Sequence, residues 1–372
     1  MSLGLSRLDI DGESADRIAF FQAVYEGFHR AAKAVQGPVD YFYNIAGHTI
    51  CLRFAGMALV PQLTPAVAHL EAEPVLKPAL TICLWDTAST HTGMPLLVSS
   101  LIHFLRLRWW ELLDSRRIIK GYNDHRIRSA FHLGPDILSL LDMQQNLALY
   151  WVMDASQVPY YERGSPLQTI LNWWAATHGH QYVHAGAVGT EAGGLLLAGK
   201  GGCGKSTAAL ACLDSHLKYA SDDYSLVSID PVPRVYSLYN TAKLKGIEDI
   251  QRFPLLAPMI SNVDRLNEEK AMLFLHEHRP EKIVSGFPLR AILLPLFTGK
   301  PETKLHPAKS VAALRALAPS TILQLPGAGQ GAFRLMSDLV KQLPCYILET
   351  GTEIARIPEV IVSLLNSEAH KY

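Results

Sequence analysis

The sequence predicts an α/β protein: a C-terminal P-loop domain preceded by a mixed α+β domain. Three observations lead there. Gly199-Lys200-Gly201-Gly202-Cys203-Gly204-Lys205-Ser206 matches the phosphate-binding loop G-x4-G-K-[ST] in full. The apolar run Leu195–Ala198 precedes it and the helix-forming run Ala208-Ala209-Leu210-Ala211 follows, the strand–loop–helix setting the motif needs. Strand and helix patterns alternate from about residue 180 onward, whereas the first ~160 residues mix them without that order.

The front of the chain, residues 1–160, is expected to be the mixed α+β domain, with a recognition role. Residues 15–35 carry Ile18, Phe21, Val24, Tyr25 and Phe28 at helical spacing. Tyr41–Ile45 and Ile50–Phe54 flank Ala46-Gly47-His48, a hairpin pattern. Strands are predicted at Leu80–Trp85, Arg116–Ile119 and Leu147–Val152. Val158–Pro166, rich in turn residues, reads as a linker, and a helix runs from Leu167 to about His178.

The second domain, 167–372, is expected to place strands at Tyr182–Val188, Leu195–Ala198, Ser225–Ile229, Ala291–Leu296 and Cys345–Leu348. Helices are predicted near 308–317, 332–342 and 358–365.

Bulk properties narrow the function. Lys+Arg and Asp+Glu both total 34, so nothing in the charge balance suggests a nucleic-acid partner. The five cysteines are odd in number and widely spaced with no C-x-x-C pair, which indicates neither a zinc ribbon nor a disulfide framework and fits a reducing, cytoplasmic setting. No apolar run approaches ~20 residues, so no membrane partner is expected. The start, Met1-Ser2-Leu3-Gly4 followed by Asp9, Asp11, Glu13 and Asp16, lacks the pattern of a signal peptide.

The loop chemistry follows from residue type. Glycines let successive backbone N–H groups turn inward on a phosphate, and the helix that begins near Lys205 adds unpaired donors and its positive dipole end. Gly199 through Thr207 form the expected nucleotide-binding set: Gly199, Lys200, Gly201, Gly202, Cys203, Gly204, Lys205, Ser206 and Thr207. Lys205 would reach the outer phosphates of ATP and the Ser206 hydroxyl would ligate Mg2+. His184 lies 22 residues before Ser206, and Asp222 and Asp223 lie 16 and 17 after it, at the end of the next predicted strand. Strand ends of an open α/β sheet are where ligands bind, so the two carboxylates are expected to face the phosphates. One can hold Mg2+ and the other take a proton from an attacking hydroxyl. The plainer readings are a strand end for Asp-Asp and a part-buried strand histidine for His184. The tryptophan pairs Trp109-Trp110 and Trp173-Trp174 read as core or interface, and His276 and His278 as a solvated loop pair.

The series His184–Val188, Gly193–Gly199, Gly204–Thr207 and Ala220–Asp223 resembles the catalytic core of HPr kinase/phosphorylase, over roughly residues 180–230. The resemblance implies the fold shared with ATP-dependent phosphoenolpyruvate carboxykinases and transfer of the ATP γ-phosphate to a serine hydroxyl. It implies phosphate and Mg2+ roles for Lys205 and Ser206, metal and base roles for Asp222 and Asp223 with Asp223 favoured as base, and assistance from His184. Lys243-Leu244-Lys245-Gly246 stands where the family carries Glu-x-Arg-Gly, and Arg290 and Lys282 are the nearest substitutes for its later arginine. The acceptor class is therefore left broad: a hydroxyl of a peptide, a protein or a small molecule. Homo-oligomerisation stays open. Two rivals remain. One is a dimerising partitioning-type ATPase, in which Lys200 would reach a partner's nucleotide. The other is a catalytically impaired ATP-binding partner protein.

Overall fold

The computed structural model describes residues 14–324 and 329–369. The acidic first residues, through Glu13, lie outside the described residues. The chain forms a mixed α/β fold with mixed sheets.

The first sheet comprises β1 (Pro38–Ile45), β2 (His48–Ala55), β3 (Leu80–Asp86), β4 (Ile127–His132), β5 (Ile137–Asp142) and β6 (Leu147–Val152), in the order β1-β2-β3-β6-β5-β4. The hairpin β1–β2 turns through Ala46 and Gly47, both with positive φ (51° and 85°), which matches the twist of the flanking strands. β3 pairs in parallel with β2 and with β6, so it is covered on both sides and reads as a continuous apolar run. The helix Ser14–Ala34 lays Phe20, Phe21, Val24 and Phe28 on this sheet, as the 15–35 spacing predicts. Phe28 packs edge-on against Trp85 with centroids 5.8 Å apart. Phe28→Ala is expected to cost about 3–4 kcal/mol, read as an earlier urea midpoint in tryptophan fluorescence.

The strand expected at Arg116–Ile119 does not form. Only isolated bridges, Leu113↔Ile119 and Ile118↔Ala130, occur there. The cause is local. Asp114 Oδ1 accepts the N–H groups of Arg116 (2.8 Å) and Ile118 (2.9 Å), which turns the chain and puts Arg117 at φ 69°. An aspartate side chain here outcompetes the sheet for backbone donors.

The second sheet is nine-stranded. It comprises β7 (Gln181–Val183), β8 (Ala185–Thr190), β9 (Gly193–Ala198), β10 (Lys218–Ser221), β11 (Ser225–Ser228), β12 (Arg234–Ser237) and, beyond the separate two-stranded sheet of β13 (Thr241–Leu244) and β14 (Ala271–Phe274), also β15 (Gly286–Phe297), β16 (Lys304–Ala308) and β17 (Cys345–Thr350). The main path runs β10-β8-β9-β15-β12-β11-β7, with β17 on β15 and β16 on β17. Alternation sorts β9 cleanly. Leu195 and Leu197 face the core beneath the helices Lys205–Ala211 and Arg356–Ala369. Leu196 and Ala198 face the opposite core, which continues through the helix Gln168–Ala176 to the first sheet.

Strand polarity decides where chemistry can gather. β8 is antiparallel to both β9 and β10, so those two point the same way. β15 is parallel to β9 and β17 parallel to β15. The carboxyl ends of β9, β10, β15 and β17 therefore share one edge. The strand predicted as Tyr182–Val188 is interrupted at His184: the residues before it pair with β11 and those after it with β8's partners β9 and β10. Among the described residues no helix is long and apolar enough to cross a membrane, and all five cysteines are free.

Candidate active site

That shared edge opens on a cavity of about 880 Å³. Gly201, Gly202, Gly204, Lys205, Ser206 and Thr207 line it, together with His184, Asp222 and Asp223. Residues brought from the break between β7 and β8, the turn after β9 and the turn after β10 thus meet in one place.

The loop is shaped by glycine where it must be. Gly204 has φ 102° and sits 3.8 Å, measured from a built Cβ, from both Pro295 and Thr350, so the turn closes against the ends of β15 and β17. Lys205 is buried at 6% exposure, and its ammonium donates to the carbonyls of Gly199 (2.7 Å) and Lys200 (3.4 Å). Three of the expected nucleotide-binding residues do not line the cavity. Gly199 offers its carbonyl to Lys205, Lys200 is exposed, and the Cys203 thiol lies against Gly199.

The acid pair is set by another close approach. A Cβ on Gly186 would lie 3.1 Å from the Asp222 backbone, so a larger residue here would push the Asp-Asp turn away from β8 by a few tenths of an ångström. The turn is stitched by Ser221, whose hydroxyl donates to Tyr224 O (2.7 Å) and accepts from Asp223 N–H (3.3 Å). Asp223 then accepts from two groups: His184 Nε2 on Oδ1 at 2.8 Å and Lys243 Nζ on Oδ2 at 2.9 Å. Lys243 also reaches Ser165 Oγ at 3.2 Å, and its backbone N–H donates to Asp222 Oδ2 at 3.2 Å. His184 stacks on Tyr224, with centroids 5.0 Å apart.

These contacts divide the two carboxylates. Burial alone raises both. For Asp223, the charges and hydrogen bonds of Lys243 and His184 more than offset burial and hold it far below the usual carboxylate range. For Asp222, burial and the neighbouring Asp223 charge win, and it is pushed up. Its Oδ1 is buried without a hydrogen-bond partner, although the Ser206 hydroxyl faces this carboxylate and favours its charged form. An orphaned carboxylate oxygen beside the serine of the loop is a donor set that suits Mg2+, with phosphate oxygens and water completing the shell. No group of three or more His, Cys, Asp or Glu side chains placed to hold a metal occurs among the described residues. The fit to Mg2+ therefore depends on phosphate ligands.

Several lining residues escaped the sequence reading. Val158–Pro166 is not a plain linker: Tyr160–Gly164 is a short helix, and Tyr160, Tyr161 and Glu162 line the cavity. Glu162 is raised by burial despite hydrogen bonds from Tyr150 (3.2 Å) and Leu167 N–H (3.1 Å). The first sheet supplies His132 and Ser139 to the same cavity, and the turn before β4 supplies Arg116 and Arg117. On the far side of the loop lie Phe297, Thr350 and Thr352 from the ends of β15 and β17. Arg290 and Lys282 do not line it. Arg290 binds Ala192 O at 3.1 Å, and Lys282 binds Ser215 O. Trp173 and Trp174 are core, but Trp109 and Trp110 are exposed at 49% and 58%. His276 is part of the short helix Leu275–His278, and its Nδ1 is buried without a partner, so it is no solvated loop residue.

The chain is thus a mixed α/β protein with a cavity where a glycine-rich loop, an acid pair, a histidine and a lysine converge. No family model matches it and no curated protein matches it. Among solved structures, it is similar to the Hpr(Ser) kinase/phosphatase from Coxiella burnetii, at 12% identity and a TM-score of 0.30, over 51% of this chain and 97% of that one.

Proposed function

We propose that the protein is an ATP-dependent phosphotransferase that moves the γ-phosphate to a hydroxyl, a serine hydroxyl by the resemblance of its motifs, on a peptide, a protein or a small molecule. The observation that carries this reading is the meeting of the loop with a split acid pair: one carboxylate pinned and ionised, the other raised and short of a partner beside Ser206. A nucleotide-binding module with no chemistry to perform has no need of both.

In this reading the amides of Gly201–Gly204 and the Lys205 ammonium bind the β- and γ-phosphates. Ser206 and Asp222 hold Mg2+, which when bound supplies neutralisation of phosphate charge. Asp223 orients the acceptor hydroxyl and takes its proton. A carboxylate held so low is a weak base, but phosphoryl transfer proceeds through a loose transition state in which the nucleophile loses its proton late. His184 and Lys243 then serve to fix the carboxylate's direction, which is the larger contribution. Arrival of the acceptor in line, away from the loop, places it toward Tyr160, Tyr161 and the first sheet.

Lys205→Ala is expected to weaken Mg–ATP binding by about tenfold or more, measured by calorimetry, because one cation and several phosphate hydrogen bonds are removed. With γ-labelled ATP and pooled peptide, protein and small-molecule acceptors, the wild type should label an acceptor and Lys205→Ala should not. Absence of any binding heat for Mg–ATP with the wild type would falsify the reading.

A further inference from the structure

Among the arginines that face the cavity, Arg117 comes from the first-sheet half of the chain and has no carboxylate partner among the described residues. Of the other cations that line the cavity, Lys205 belongs to the loop, Lys243 is paired with Asp223 and Arg252 with Asp249, while Arg116, Lys245 and Lys270 also line it. We propose that Arg117 is a second cation, beside Lys205, that contacts the transferring phosphoryl group, supplied to the second-sheet site by the N-terminal half. This rests on the phosphotransferase reading above.

Four observations support it. First, the residue is built into place. Asp114 Oδ1 holds the N–H groups on either side, Arg117 N–H donates to Asp114 O at 3.1 Å, and Arg117 O accepts from Phe131 N–H on β4 at 2.9 Å. Second, the backbone at Arg117 is at φ 69°, a left-handed conformation that an arginine adopts at a cost. A glycine would fit there without strain, so something other than the turn accounts for the side chain. Third, the guanidinium is aimed. Nη1 meets His132 Nδ1 at 3.2 Å, and His132 Nε2 meets Tyr161 OH at 3.3 Å. His132 itself is kept neutral by burial and by Arg117, so the contact orients the guanidinium without neutralising it. Fourth, the charge is felt at the site. Arg117 opposes the effect of burial on Tyr161, Glu162 and Tyr224, and Tyr224 stacks on the His184 that binds Asp223. The arginine the sequence suggests for this role, Arg290, is outside the cavity.

The step balances simply. The acceptor oxygen forms a bond to the γ-phosphorus, the bond from that phosphorus to the β–γ bridging oxygen breaks, ADP leaves with the electron pair, and the hydroxyl proton passes to Asp223. Negative charge spreads over the three equatorial oxygens on the way. A guanidinium that donates to them stabilises that arrangement more than the ground state.

The test uses the full chain and two probes that need no known acceptor: slow hydrolysis of Mg–ATP, with water as acceptor, and binding of aluminium fluoride to the Mg–ADP complex. Arg117→Gly removes the cation and adds no backbone strain, and its melting temperature measured beside the wild type separates loss of function from loss of fold. Arg117→Lys keeps the charge without the planar fork. The expected result is Mg–ATP affinity within about threefold of wild type for both variants. Hydrolysis should fall about 100-fold in Arg117→Gly and be partly recovered in Arg117→Lys, and aluminium fluoride should no longer tighten Mg–ADP in Arg117→Gly. Arg290→Ala should behave as wild type. If Arg117→Gly hydrolyses ATP and captures aluminium fluoride as the wild type does, the inference is overturned while the phosphotransferase reading stands. If the wild type itself binds no Mg–ATP, both fall.

Discussion

Asp223→Asn is expected to reduce phosphoryl transfer about 1,000-fold while Mg–ATP binds within a few-fold of wild type. Asparagine keeps the shape and still accepts from His184, but it cannot take a proton. It also leaves Lys243, a side chain only 10% exposed, without its direct ion-pair partner. The variant should therefore lose stability as well as activity, and the two losses can be separated. Adding Lys243→Met removes the stranded ammonium. The double variant should recover thermal stability and recover no transfer, because the proton acceptor is still missing. Rates from labelled ATP and melting temperatures from the same preparations check both halves. Transfer by Asp223→Asn within about tenfold of wild type would remove Asp223 from the proton path.

The parts of this site that could be read from the chain are the parts that are contiguous in it. Eight residues in a row announce the loop, because its chemistry is backbone chemistry and depends on spacing alone. His184, Asp222 and Asp223 are individually unremarkable side chains; they stand out by their order around the loop. What assembles them is strand polarity, and no local pattern states that β9 and β10 point the same way. Lys243 was visible only as a misfit in a motif. The structure gives it a place, since β13 carries it to Asp223, 20 residues away in sequence. Arg117 was misread for a physical reason. Arg116–Ile119 has β-forming residues, but Asp114 takes the donors a ladder would need. The strands β4 and β5 were missed because Ser129, Ser139 and Asp142 interrupt their apolar runs; in the structure Ser129 is buried and bonded to Asn123, Asp142 is buried and bonded to Arg126, and Ser139 lines the cavity. The break at His184 has no local signature, because apolar or small residues flank the histidine on both sides. It arises only because the two halves pair with different strands.

Asp222→Asn is expected to cost transfer about as much, and to make the unliganded protein more stable, which a purely structural residue would not do. Burial and the Asp223 charge raise Asp222 from 3.8 to about 6. A raised carboxylate favours the folded state when protonated, so it costs no stability below the unfolded value. The cost develops as pH climbs from about 4 to about 6 and is complete above that. Asp223 works the other way, since its lowered value contributes stability above the ordinary carboxylate range that is lost in strong acid. Asparagine at 222 removes the first effect and leaves the second. It also gives the orphaned oxygen's position a group that can hydrogen-bond Ser206 without bearing charge. The melting temperature of Asp222→Asn minus that of wild type should thus be near zero at about pH 4, rise through about pH 6, and settle on the order of 2–3 °C above zero at neutral pH. Mg–ATP should reverse the order, because only the wild type has the carboxylate that the cation and its phosphates would satisfy. A difference that ignores pH, or a nucleotide that stabilises both proteins equally, would show that Asp222 is an ordinary turn residue. The opposing signs are the point: a buried carboxylate left short of a partner is unfavourable until a divalent cation arrives, and a fold keeps such a group where the cation is needed.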